Sequence, residues 1–253
     1  MIFGYDLYLN GKRKLIEELK EKITNNQTST IISLNSLKLR QGSKDIHLKK
    51  LFQSGTYIIP DGQSMAFGEF LVNGNKISAI SGAELMVELI NDAHLSGHKI
   101  FFLGSPEKLL KKVVHKIKYD YPDLIDKVGI QHGYYEVETE EDKVIQLIAD
   151  FKPDYLFVAF GSPRKEKFIL DYKDRLNSKV IMGVGGSFEY FVGDVKLNST
   201  LKKLGLRWLE RTLQDPLRLS KRYLICNSYF FYSLVKEIFV KRLKHYTAKK
   251  GLQ

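Results

Sequence analysis

Short apolar runs alternate with longer amphipathic stretches along this chain, an order that commits it to βα units and a parallel sheet. The runs IFGYDLYL (2–9), STIISL (29–34), TYIIP (56–60), HKIFFLG (98–104), KVGIQHG (127–133), DYLFVAFG (154–161) and KVIMGVG (179–185) predict strands. Between them, 12–24, 63–73, 82–96, 106–119, 139–151 and 163–175 predict helices. The stretch 82–96 carries the clearest signal, with Leu85, Val87, Leu89, Ile90 and Ala93 on one stripe and Gly97 as the stop. No internal repeat or low-complexity segment interrupts the pattern. The fold class is α/β.

Three predicted strands end in glycine and a small residue: FFLGSPE with Gly104 and Ser105, VAFGSPRKE with Gly161, and MGVGGSFEY with Gly185 and Gly186. Glycine lets backbone N–H groups approach a ligand closely, and the N-terminus of a following helix favours phosphate oxygens. Gly-Ser-Pro also serves as an ordinary strand-to-helix turn, with Ser as N-cap and Pro as first helical residue. Two copies together with a double glycine point to a nucleotide-type ligand above the sheet.

A further strand exit, TYIIPDG (56–62), ends in a lone carboxylate. Pro60, Asp61 and Gly62 make a competent turn by themselves, since Pro fixes φ, Asp bonds its own backbone and Gly tolerates positive φ. Strands of open α/β sheets also place their ligand groups at their carboxyl ends, which makes Asp61 a candidate functional residue.

Charge divides the 253 residues unevenly. The net charge is +11, yet residues 193–253 hold 14 Lys plus Arg against 4 Asp plus Glu, leaving residues 1–192 near neutral. This split marks a near-neutral body, 1–192, and a basic helical appendage, 193–253. A basic tail fits a polyanionic partner, either nucleic acid or an anionic membrane surface. The longest charge-free stretch of the tail, Tyr223 to Val235, contains Asn227 and two serines and falls short of the ~20 apolar residues that span a bilayer. Arg207, Arg211, Arg218, Lys221 and Arg222 recur near multiples of 3.6, so several share one helix flank while Leu and Tyr occupy another, as in interfacial helices. A helix packed on the body with a solvated charged face is the alternative, and both readings hold if they concern different faces. One cysteine, Cys226, excludes an intrachain disulfide and a multi-thiolate zinc site and fits a reducing compartment. The N-terminus lacks the basic-then-apolar order of a signal peptide, so a cytoplasmic location is expected.

Taken in order, PDG (60–62), FFLGSPE (101–107), HGYY (132–135), FGSPRKEKFI (160–169), GVGGSFEYFVGDVK (183–196) and LGLRWLERTLQDPLRLSKRYL (204–224) resemble the WecG/TagA/CpsF glycosyltransferases, glycosyltransferase family 26. The resemblance runs from about Ser29 to Tyr223. It implies a Rossmann-like open parallel sheet with a C-terminal appendage that meets the inner face of the plasma membrane as a peripheral protein. It also implies transfer of a sugar, of N-acetylmannosamine type or a related hexose or uronic acid, from a UDP-sugar to a polyprenyl-diphosphate-linked saccharide. Inversion at the anomeric carbon, no metal ion and no cofactor belong to the same expectation, as does a place in bacterial cell-surface polysaccharide or teichoic acid synthesis.

Carried onto this chain, the resemblance makes Asp61 the catalytic base and Arg211 the cation that offsets charge on departing UDP. Arg207, Arg218, Lys221 and Arg222 fall nearer the lipid diphosphate or headgroups. Asn35 in SLNS matches a donor-side asparagine, with Ser33 where a threonine-containing stretch is usual. Tyr134 of HGYY and Gly185, Gly186, Phe188 and Glu189 fall where the family binds the uridine part. Two departures stand out: Glu189 replaces a more usual Asp, and Lys165 replaces the Gln of G-x-P-[KR]-Q-E on the donor side.

Rival readings fail on specific residues. A Rossmann-type dehydrogenase would carry G-x-G-x-x-G after its first strand, where this chain has NGKRK. A nucleic-acid-binding protein would explain the tail and leave Asp61 and the phosphate-type turns unexplained, so no nucleic acid partner is expected. His94, His98, His115 and His132 lack the spaced partners of a metal site, and no Asp-x-Asp element is present. A homo-oligomer is compatible with the sequence, which does not specify one.

Overall fold

The computed structural model describes residues 1–195 and 216–250, the last helix by its backbone alone at 217–219 and beyond 243. Six strands, β1 (Ser29–Leu34), β2 (Tyr57–Pro60), β3 (Ile100–Gly104), β4 (Val128–Gln131), β5 (Tyr155–Ala159) and β6 (Val180–Gly183), form one sheet in the order β2-β1-β6-β5-β3-β4. Every pairing is parallel. The helices are α1 (Gly11–Thr24), α2 (Ser36–Lys44), α3 (Ile46–Gln53), α4 (Gln63–Asn73), α5 (Gly82–Ser96), α6 (Glu107–Asp120), α7 (Val137–Phe151), α8 (Arg164–Tyr172), α9 (Ser187–Phe191) and α10 (Pro216–Lys250).

The apolar runs become strands because both faces of the sheet are covered. All residues of β1, β3 and β5 are buried, and successive side chains go to opposite layers. Ile31, Phe102 and Phe157 pack under α1, α5, α6 and α9. On the other face Phe101, Leu156 and Ile181 meet α7 and α8, while Ile32, Leu34 and Ile58 meet α2, α3, α4 and α10. The connection from β3 to β4 runs through α6 on the first face, and that from β5 to β6 runs through α8 on the second. Neighbouring strands whose connections diverge in this way leave a crevice at their carboxyl ends, where open α/β sheets bind ligands.

Two stretches depart from the sequence expectation. Residues 2–9 form no strand: Ile2 and Tyr5 exchange backbone hydrogen bonds of 2.9 and 2.8 Å around a tight turn, with Phe3 and Gly4 at positive φ. The run is apolar because Ile2, Phe3, Tyr5 and Leu7 fill the layer beneath β1 and β2, not because it pairs in the sheet. The unassigned stretch after β1 folds as α2 and α3, started by Asn35 and Asp45, whose side chains accept hydrogen bonds from the N–H of Lys38 and of His47 and Leu48.

Helix α10 is 35 residues, about 50 Å long. It docks on α2 and α4 through Cys226, Phe230 and Leu234, one turn apart. Phe230 lies over Gly68, its ring 3.5 Å from where a Cβ would sit, and against the ring of Phe3 at 5.8 Å. Farther along, the Lys241 ammonium donates to the Val72 carbonyl at 2.7 Å and to Asn73 Oδ1 at 2.6 Å. Among the described residues no helix is long and apolar enough to cross a membrane.

Candidate active site

Because the strands are parallel, the loops that follow all six of them reach the same edge of the sheet. β2 carries its backbone ladder one residue past its end: the Asp61 N–H donates to the Leu34 carbonyl at 2.8 Å, and the Pro60 carbonyl accepts from Ile80 at 2.8 Å. Asp61 is therefore held by backbone on both sides and half-buried. Gly62, at φ +87°, turns the chain directly into α4. At the end of β1, Asn35 uses both ends of its amide. Its Oδ1 caps α2 through Lys38 N–H at 3.2 Å, and its Nδ2 donates to Asp61 Oδ2 at 3.3 Å. The fold thus brings Asn35 and Asp61 together, orienting the carboxylate while leaving it lone pairs for further hydrogen bonds.

Behind this pair lies a buried ionic cluster that the sequence did not reveal. The Lys38 ammonium reaches the Ser33 carbonyl and lies 2.9 Å from Glu166 Oε1. Lys165 approaches the same oxygen at 3.2 Å. Burial pushes the Lys38 pKa below the ordinary lysine value, against the pull of Glu166 in the other direction. Burial likewise works to raise the Glu166 carboxyl, but Lys38 and Lys165 outweigh it and hold the group below the usual carboxylate range. Lys38 was legible only as one cation in an unassigned stretch, and Glu166 only as part of PRKEK.

The glycine turns differ from one another. Gly104, at φ +102°, passes so close to β5 that a Cβ would lie 2.8 Å from the Ala159 carbonyl group, and Ser105 itself adopts φ +62°. The Ser105 carbonyl accepts from the N–H of Gly133 at 3.0 Å, tying the β3 and β4 exits together. At the second copy Gly161 has open space around it, Ser162 Oγ donates to Gln41 Oε1 at 3.1 Å, and the Ser162–Pro163 peptide is cis. Neither serine caps its helix. Each helix starts one residue later than expected, with Pro106 or Pro163 in the cap position. Gly185, at φ +53°, and Gly186 lead into α9.

The other candidates sort by exposure. Phe188 is fully buried against Phe102 at 5.4 Å, so it supports the β6 turn from the core and does not face the crevice. Glu189 Oε2, near Gly186, is buried without a hydrogen-bond partner. Tyr134 is 75% exposed, its N–H donating to His132 Nδ1 at 3.3 Å. Arg164, beside Lys165, is occupied: it stacks 4.4 Å over Phe160 and donates to the Gly133 carbonyl at 3.3 Å. Arg207 and Arg211 lie outside the described residues, and Arg218 is described only by its backbone in α10. Lys221 and Arg222 stand exposed in the same helix. No group of three or more His, Cys, Asp or Glu side chains gathers as a metal site among the described residues.

Residues 1–244 match the model of the glycosyl transferase WecG/TagA/CpsF family. The chain belongs to the WecG/TagA/CpsF glycosyltransferase family. It is similar to proteins of Staphylococcus aureus strains MW2, MRSA252 and NCTC 8325 named N-acetylglucosaminyldiphosphoundecaprenol N-acetyl-beta-D-mannosaminyltransferase. Each is 29% identical over 223 residues, 87% of this chain and 86% of the relative.

For a WecG/TagA/CpsF glycosyltransferase, the described geometry supplies a rigid carboxylate at one end of the strand edge and a buried cation at another. Asp61 and Lys165 both act electrostatically on Lys38, so one charged cluster runs from the β2 exit to the start of α8.

Proposed function

We propose that this glycosyltransferase moves a sugar of N-acetylmannosamine type, or a related hexose or uronic acid, from a UDP-sugar to a polyprenyl-diphosphate-linked saccharide. The acceptor class follows the relatives' name, in which N-acetylglucosamine is joined through a diphosphate to undecaprenol. Such a step belongs to cell-surface polysaccharide or teichoic acid synthesis. The observation that carries the reading is Asp61, a half-buried carboxylate at a strand exit, oriented by Asn35 and free of any salt bridge among the described residues.

In this reading the acceptor hydroxyl oxygen bonds to the anomeric carbon from the face opposite the donor diphosphate. The bond from that carbon to the diphosphate oxygen breaks, and UDP leaves with its electron pair. The hydroxyl proton passes to Asp61, a single general base being sufficient for an inverting transfer. Asn35 keeps the accepting oxygen aimed. Backbone N–H groups at the glycine turns, and Arg211 from the tail, offset charge on UDP as it develops. Glu189, with a free buried oxygen, suits a donor hydroxyl or ring N–H. No metal ion is required, since these groups take its place.

The tail holds the enzyme at the membrane surface where the acceptor resides. Phe231, Val235, Phe239 and Leu243, one turn apart on α10 among Lys236, Lys241 and Arg242, and Phe67, Phe70 and Leu71 on α4 are exposed apolar side chains, a combination suited to an interfacial surface.

The deciding experiment is turnover by Asp61→Asn with a panel of UDP-sugars and a short-chain lipid-diphosphate acceptor. Turnover should fall by at least about a hundredfold while UDP binding persists, and wild-type activity should survive excess EDTA. Near-normal turnover in the variant removes Asp61 from the mechanism. Loss in EDTA that Mg²⁺ restores removes the metal-free reading.

A further inference from the structure

The Lys38–Glu166–Lys165 cluster holds two cations against one carboxylate. Lys38 is enclosed: its ammonium is satisfied by the Ser33 carbonyl and Glu166, and its side chain is only 4% exposed. Lys165 is placed differently. Its methylenes lie along Gly183 of β6, within 3.1 and 3.2 Å of where a Cβ would sit, so a side chain there would push the stem aside by a few tenths of an ångström. The ammonium then emerges by Gly185, 3.8 Å from that residue's Cβ position, and the side chain is 11% exposed. Asp61 is bonded to Asn35, and the neighbouring Arg164 is spent on Gly133 and two rings. A largely desolvated cation whose one ion-pair partner among the described residues is shared with a second lysine is delivered to a glycine turn at the ligand edge of the sheet.

We propose that Lys165 is a binding residue for the diphosphate of the nucleotide donor, with Glu166 and Lys38 as the positioning residues that hold its ammonium at the β6 turn. The diphosphate is the anion chosen because it is the donor's densest charge and gains more as the glycosidic bond breaks, where a fixed cation in a dry site acts most strongly. The glycine turn suits it too, because backbone without Cβ lets phosphate oxygens come close. This assignment rests on the UDP-sugar reading and adds to it a further residue, on α8, that reads the phosphates.

A ladder of uridine, UMP and UDP, titrated against the full chain by calorimetry, tests it without turnover. Wild type should gain affinity at each phosphate. Lys165→Gln should lose about ten- to a hundredfold for UDP, the range of a charge-assisted hydrogen bond, while binding uridine as wild type does. Lys165→Arg should recover most of the loss. Equal UDP affinity in wild type and Lys165→Gln overturns the proposal, as does a loss that falls equally on uridine, which marks a packing role only. A loss confined to donors with a carboxylate on the sugar, with UDP unchanged, overturns it in favour of sugar reading. If wild type binds neither UDP nor any UDP-sugar, the donor reading itself falls and takes this proposal with it, a result distinct from an unaffected variant.

Discussion

The sheet and helix α10 spend their apolar residues in opposite ways. In β1, β3 and β5 every position is buried, and the Phe102 ring lies 5.7 Å from that of Phe157 and 5.4 Å from that of Phe188. In α10 only Cys226, Phe230 and Leu234 are buried among the described residues, while Leu224, Phe231, Tyr232, Val235, Phe239 and Leu243 face outward. The apolar surface of these three strands is covered by the rest of the chain. The helix is anchored by one narrow seam and, among the described residues, leaves a broad apolar and basic face exposed. Far more apolar surface is therefore buried around the sheet than along α10.

The harshest way to break that contrast is to empty the body. Phe102→Ala removes a fully buried ring wedged between Phe157 and Phe188, and should cost about 3–5 kcal/mol in denaturant unfolding. A loss below about 1 kcal/mol would mean that the core can collapse around the gap.

Phe230→Ala strikes the seam instead. Its ring fills the space above Gly68, so α10 should open more readily, with amide exchange in that helix faster by about a hundredfold, the scale of one large core truncation. Amides of β1, β3 and β5 should keep their protection. Equal acceleration in the sheet would show that tail and body unfold as one unit.

On the outward face, Phe239→Ser should change unfolding stability by no more than about 0.5 kcal/mol, as surface substitutions do. Sedimentation with anionic vesicles should nonetheless fall severalfold. Unaltered vesicle binding would reassign this stripe to a protein partner.

The mildest probe is Arg222→Gln at the start of the same helix, exposed and stacked 5.2 Å from the Tyr223 ring. One charge near an anionic surface contributes about 1 kcal/mol, so vesicle affinity should drop about fivefold at low salt and converge with wild type as salt rises. A salt-independent effect would point to lost stacking rather than lost charge.

The sequence by itself determined the six parallel strands, the helices 63–73 and 82–96 to the residue, and Asp61 at a strand exit. These features are local. A strand covered on both faces needs an unbroken apolar run, an amphipathic helix needs a 3.6-residue stripe, and a carboxylate after Pro is visible wherever it falls. Tertiary structure decided the rest. Residues 2–9 read as a strand because burial in a turn and burial in a sheet demand the same side chains, and only packing chose between them. The α2 and α3 segment hid because its helices are short and start on caps rather than on a long stripe. Asn35 gained its hold on Asp61, and Glu166 its two lysines, only when β1, β2 and α8 came side by side. Phe188, by contrast, left the candidate site for the core. The two Gly-Ser-Pro turns look identical in sequence, but one is pressed against Ala159 and the other faces open space, because the residue opposite a turn comes from another part of the chain.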